Sequence, residues 1–229
     1  SHTASSRRQF LKSGVAAGLG TLVVSGRKSA FGQANEEIGV GVIAAGGRAG
    51  ELARTFKSLS GARVVAVADP DAERAGKLAS AMGQATEYSD LRHLLDDPAV
   101  DVVAVATCNH WHCLAAIWAM QAGKDAYVEK PLSHSQWEGL QTVRAARKYN
   151  RIVQIGTQQR SDPMQAELKK FLHQDKALGE IKYAQANRLG ARASIGKRDT
   201  PLPIPEGVNY DLWLGPAQDR PLFRNQFHY

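Results

Sequence analysis

Residues 36 to 157 predict an α/β fold with a doubly wound parallel sheet, and three observations carry that prediction. Short β-branched runs recur along the segment, stretches with helical apolar spacing fill the intervals between them, and the runs are almost continuously apolar. Strands that alternate with helices form parallel sheets, and unbroken apolar strands mean that both faces are covered.

The predicted strands are "IGVGVIA" (38–44), "RVVAVAD" (63–69), "DVVAVAT" (101–107), "DAYVEK" (125–130) and "RIVQIGT" (151–157). After Asp71, a helix cap, Ala75, Leu78, Ala79 and Met82 recur at helical spacing. Ser135 and Glu138 spell a capping box, with Leu140 and Val143 expected to face inward. Asp162-Pro163 opens a helix whose Met164, Leu168, Phe171 and Leu172 share one face, read as core. "GEIKYAQANRL" (179–189) is expected to be a strand opening a second, α+β domain over 158–229. The stretch 196–221, with five prolines, reads as a long ordered loop or a strap that crosses domains.

The chain has 229 residues and a formal charge of +7, but the charge is unevenly placed. Arg7, Arg8, Lys12, Arg27 and Lys28 lie in residues 1–34, which hold no acid, and the remainder is close to balance with 24 basic and 22 acidic residues. A basic nucleic-acid-binding stripe on the folded body is therefore not expected. Residues 1–34 instead read as a removable signal: a basic start, an apolar run from Ser13 to Gly26, and small residues at Gly32-Gln33-Ala34. The run is too short and glycine-rich for a stable membrane span, and no cysteine follows it to take a lipid anchor. A disordered basic tail is the alternative. "SRRQFLK" resembles the twin-arginine export motif, which implies export of an already folded protein to the periplasm, often with its cofactor bound.

The loop "AAGGRAG" (44–50) follows the first strand. A dinucleotide fold needs small residues here, so that the backbone can approach a pyrophosphate at a helix N-terminus. Gly39-x-Gly41-x-x-Ala44 lies inside the strand, so the expected register is Ala44-x-Gly46-x-x-Ala49. A plain glycine-rich turn is the alternative for the loop taken alone. Asp69 ends the second strand, 23 residues after Gly46, where a carboxylate accepts hydrogen bonds from ribose hydroxyls and repels a 2′-phosphate. That order of elements predicts a Rossmann domain for NAD, with NADP the less favoured cofactor. Lys130, at a strand's carboxyl end in "EKP", is the candidate for moving a proton beside the nicotinamide. Cys108 and Cys113 make no disulfide framework, and "TCNHWHC" fits no usual zinc spacing, so no metal is expected.

These residues in context resemble the Gfo/Idh/MocA family, the glucose-fructose oxidoreductase and inositol dehydrogenase group. Residues 106–160, from "ATCNHWHC" through "YVEKPLSHSQWEG" to "GTQQR", are similar to its exported, twin-arginine branch, as is "YDLWLGPAQDRP". The resemblance implies cofactor contacts from Gly46, Gly47 and Arg48 in the phosphate loop and from Thr107, Asn109 and His112 on the nicotinamide side. It implies a cofactor- and substrate-facing pair in Glu129 and Lys130, with Pro131 cis. Two departures stand out: Cys108 replaces the usual proline, and Ala44 stands where glycine is common. The implied activity is NAD-dependent hydride transfer with a sugar, polyol or sugar-derived alcohol. An NAD-dependent glycoside hydrolase that transiently oxidises C3 and a catalytically silent nucleotide-binding protein are the alternatives. Family chains continue past the equivalent of "FHY" with an aspartate and a histidine that complete the site, so the reading expects a truncated second domain. Family members commonly pair through that domain's open sheet face, which makes a homo-oligomer the expectation for the full-length protein.

Overall fold

A computed structural model describes residues 37–187, 190 and 193–228. The leader read at residues 1–34 lies outside the described residues. Six parallel strands form one sheet: β1 (Ile38–Ile43), β2 (Ala62–Ala68), β3 (Thr86–Tyr88), β4 (Val102–Val105), β5 (Asp125–Glu129) and β6 (Val153–Gly156), in spatial order β3-β2-β1-β4-β5-β6. The order reverses between β1 and β4, which is where an open α/β sheet leaves a crevice at its carboxyl edge.

Two cores cover the sheet. One collects Val40, Val42, Val64 and Val67 with Leu52 and Ala53 of α1 (Gly47–Ser58) and Leu78, Ala79 and the adjoining Met82 of α2 (Ala72–Ala81). The other joins Ile43, Val103, Val105 and Val128 to Leu94 and Leu95 of α3 (Leu91–Asp96) and to Ala115, Ala116 and Ala119 of α4 (His112–Gln121). Asp71 caps α2 and Asp90 caps α3 through their side chains. Gly39 and Gly41 lie within β1, where an added Cβ would stand 1.8 Å from Ala99 O and 2.7 Å from Leu94 Cδ2, so their role is close packing.

Sequence reading missed β3 and α3. Three residues are too few to show a period, and β3 exists because β2 offers it a ladder.

Three expectations are corrected. Helix α5 (Gln136–Tyr149) starts at the Ser135–Glu138 box, but its buried positions are Thr142 and Ala145, while Leu140 and Val143 are exposed. The small side chains permit close packing on the alanine-rich α4, so the bulky ones turn outward. Helix α6 (Pro163–Lys169), continued by a π turn over Lys170–Gln174, exposes Met164, Leu168 and Phe171, and none of its residues is buried. Residues 181–187 form no strand, because nothing among the described residues pairs with them. Beyond them, 193–228 runs as an irregular strap with one short helix, α7 (Tyr210–Leu214). Among the described residues no helix is long and apolar enough to cross a membrane.

Candidate functional site

The carboxyl ends of β1, β2 and β4 open onto a cleft of about 1100 Å³. Ala44, Gly46, Gly47 and Arg48 form its floor at the start of α1. Gly46 is the N-cap and donates no side-chain cap, and the first turn of α1 carries no acid. The uncompensated amides and the positive end of the helix dipole therefore face the cleft. A Cβ at Gly47 would meet nothing within 4 Å, so the loop leaves room for a ligand against its backbone. Ala44 holds φ +91°, a conformation that glycine adopts without strain.

Asp69 stands across the loop and is 6 % exposed. Its Oδ2 accepts from Ala45 N at 2.6 Å and its Oδ1 from Asp71 N at 2.8 Å. Each oxygen keeps a second lone pair for a hydroxyl. Burial raises the Asp69 pKa, and the two amide donors oppose that rise. Arg74 of α2 lies over the loop, its Nη1 3.3 Å from the position of a Gly46 Cβ.

Thr107, Cys108 and Asn109 line the opposite wall after β4, and burial pushes the Cys108 thiol up. Arg48 donates from Nε to Glu129 Oε1 at 2.7 Å and from Nη1 to Glu51 Oε2 at 2.7 Å. Burial alone would lower the Arg48 guanidinium, but these two carboxylates hold it above its ordinary value. Glu129 is buried behind the cleft wall and also accepts the Lys130 N–H at 3.3 Å. Lys130 is exposed at the end of β5, and its peptide bond to Pro131 is cis. His112 is 1 % exposed and lies behind the wall, between two backbone carbonyls. Gly46, Gly47, Arg48, Asp69, Thr107 and Asn109 thus share one cleft, whereas Glu129, Lys130 and His112 flank it without lining it.

The strap completes the cleft with residues that sequence reading did not single out. Asn209 N donates to Pro70 O at 2.8 Å, Ala72 N to Gly207 O at 3.3 Å, and His228 Nε2 lies 3.1 Å from Asp71 Oδ2. Trp213 packs against Phe227 with the rings tilted by 43° and 4.5 Å between centroids, and its carbonyl receives the Trp111 indole N–H at 3.4 Å. "HWH" and "YDLWLG" are visible as aromatic motifs, but their adjacency has no local signal.

Comparison with known proteins agrees with this geometry. Residues 38–157 match the GFO_IDH_MocA family, described as an oxidoreductase family with an NAD-binding Rossmann fold. Inositol 2-dehydrogenase 4 of Saccharopolyspora erythraea is 36% identical over 141 residues, which cover 61% of this chain and 42% of that protein. Levoglucosan dehydrogenase of Pseudarthrobacter phenanthrenivorans is 35% identical over 119 residues, covering 52% of this chain and 30% of that one. The structure of myo-inositol dehydrogenase from Lactobacillus casei in complex with NAD(H) and myo-inositol superposes with a TM-score of 0.57 at 29% identity, covering 60% of this chain and 42% of that chain. The chain thus matches less than half the length of each of these relatives. With the sheet order, the open loop at the start of α1 and a match over more than half of its residues, the chain belongs to the Gfo/Idh/MocA oxidoreductase family.

Proposed function

We propose that this chain binds NAD and carries the proton-transfer residue of an oxidoreductase that acts on a sugar, polyol or sugar-derived alcohol. The observation that carries the reading is the uncapped, acid-free start of α1 facing Asp69 across the cleft. A pyrophosphate fits the first, and a ribose diol fits the second better than a ribose 2′-phosphate does. The inositol and levoglucosan dehydrogenases among the relatives support the substrate class.

Gly46, Gly47 and Arg48 would hold the phosphates, Asp69 the adenosine ribose, and Thr107 and Asn109 the nicotinamide side. The bound dinucleotide supplies hydride acceptance and donation. Lys130 takes the proton of the substrate hydroxyl and returns it in the reverse direction. Glu129 accepts from Arg48 Nε, which links the first turn of α1 to the end of β5.

The test is to denature the purified protein, identify released nucleotide by mass, and titrate NADH by fluorescence. Recovery of NAD(H) or saturable NADH binding is expected; the absence of both would overturn the reading. Lys130→Ala should lower hydride transfer by roughly 10²–10⁴-fold while NADH binding persists. Catalysis without net NADH would point instead to the transient-oxidation hydrolase. We further propose export by the twin-arginine route. Replacing Arg7 and Arg8 with lysine should retain the protein in the cytoplasm, as cell fractionation would show.

A further inference from the structure

Two neighbouring side chains at the start of α4 grip two neighbouring carbonyls of the loop after β5. His112 Nδ1 lies 2.6 Å from Pro131 O, and Cys113 Sγ donates to Leu132 O at 3.1 Å. The second ring nitrogen of His112, Nε2, lies 3.2 Å from Thr107 O, at the end of β4. Carbonyl oxygens only accept, so the ring must donate, and Nδ1, which makes the shorter contact, carries the N–H given to Pro131 O. With 1 % exposure and contacts on both sides, the ring is a buried strut between the Thr107 loop and the Lys130-Pro131 loop.

We infer that His112 is a positioning residue for Lys130, acting through the backbone of Pro131, with Cys113 as its auxiliary. The inference rests on the reading of Lys130 as the proton-transfer group. Lys130 is exposed, and no side chain among the described residues holds its ammonium, so its placement depends on the backbone that carries it. That backbone is tethered on one side by Glu129 to Arg48 and on the other by His112 and Cys113. The same clamp accounts for the second half of "TCNHWHC": both side chains are committed to carbonyls of the proton-transfer loop.

The test compares His112→Ala, His112→Asn and Cys113→Ala in the intact protein, by steady-state kinetics, NADH titration and hydrogen exchange of the peptide spanning 130–134. Misplacing a reacting group by about 1 Å costs on the order of 100-fold, so His112→Ala should lower kcat by about that factor. NADH affinity should stay within about threefold. His112→Asn, whose side-chain amide reaches the same carbonyl, should recover most of the loss, and Cys113→Ala should show a smaller effect of the same kind. In a Lys130→Ala background, His112→Ala should cost nothing more, because the group it positions is gone. Exchange at 130–134 should quicken while that of β1 and β2 stays unchanged.

Unchanged kcat and unchanged exchange in His112→Ala would overturn the inference. So would parallel loss of kcat, NADH affinity and thermal stability without rescue by asparagine, which is the mark of a merely structural histidine. Quickened exchange in a protein whose wild type transfers no hydride would support the clamp and overturn the oxidoreductase reading, so the two failures are separable.

Discussion

At the scale of single residues, two positions in the cleft carry opposed conformational and electrostatic costs. Ala44 sits at φ +91°, where an L side chain is strained by about 1–2 kcal/mol. Ala44→Gly should therefore raise stability by about 1 kcal/mol net of glycine's greater chain entropy, a gain of roughly 2–4 °C in Tm by thermal melting. Asp69 is held above the ordinary aspartate range by burial. The folded chain thus binds this proton more readily than the unfolded chain does, so its contribution to stability declines as pH rises from the ordinary aspartate range through the raised folded value. Melts of the unliganded protein from about pH 4 to about pH 7 should show that declining component, and Asp69→Asn should lack it. NADH binding should run the other way, weakening on acidification as the carboxylate proposed to meet the ribose takes up its proton.

At the scale of elements, the Arg48–Glu129 pair fastens α1 to β5 across 81 residues of sequence. Glu129 is buried, so removing its partner leaves an unpaired carboxylate in a low-dielectric site. Arg48→Ala should cost about 2–3 kcal/mol by urea denaturation, less than a fully buried pair because the Arg48 side chain is 33% exposed. Pairing that change with Glu129→Gln should restore part of the loss. Legibility also varied by element. The Ser135–Glu138 box located the start of α5, since capping is a local exchange of hydrogen bonds. Which face of α5 turns inward was not legible, because the alanines of α4 select small partners over Leu140 and Val143.

At the scale of the molecule, the strap is held over the cleft by contacts far apart in the chain, His228 to Asp71 across 157 residues among them. Gly215 permits a close approach of the strap to Trp111: at φ +51°, a Cβ there would stand 2.2 Å from the Trp111 ring. Gly215→Ala should undock the strap, shifting tryptophan emission to the red and raising the NADH dissociation rate by roughly tenfold with little change in association. The sequence by itself determined the five longer strands, the caps of α2, α5 and α6, the small-residue loop before α1 and the acid at the end of β2. Each depends on periodicity or on partners a few residues away. Only the tertiary structure decided β3, the inward face of α5, the His112 clamp and the strap's place over Pro70 and Asp71. Those depend on which distant surfaces the sheet order brings together, and pairing across such separations leaves no pattern among neighbouring residues.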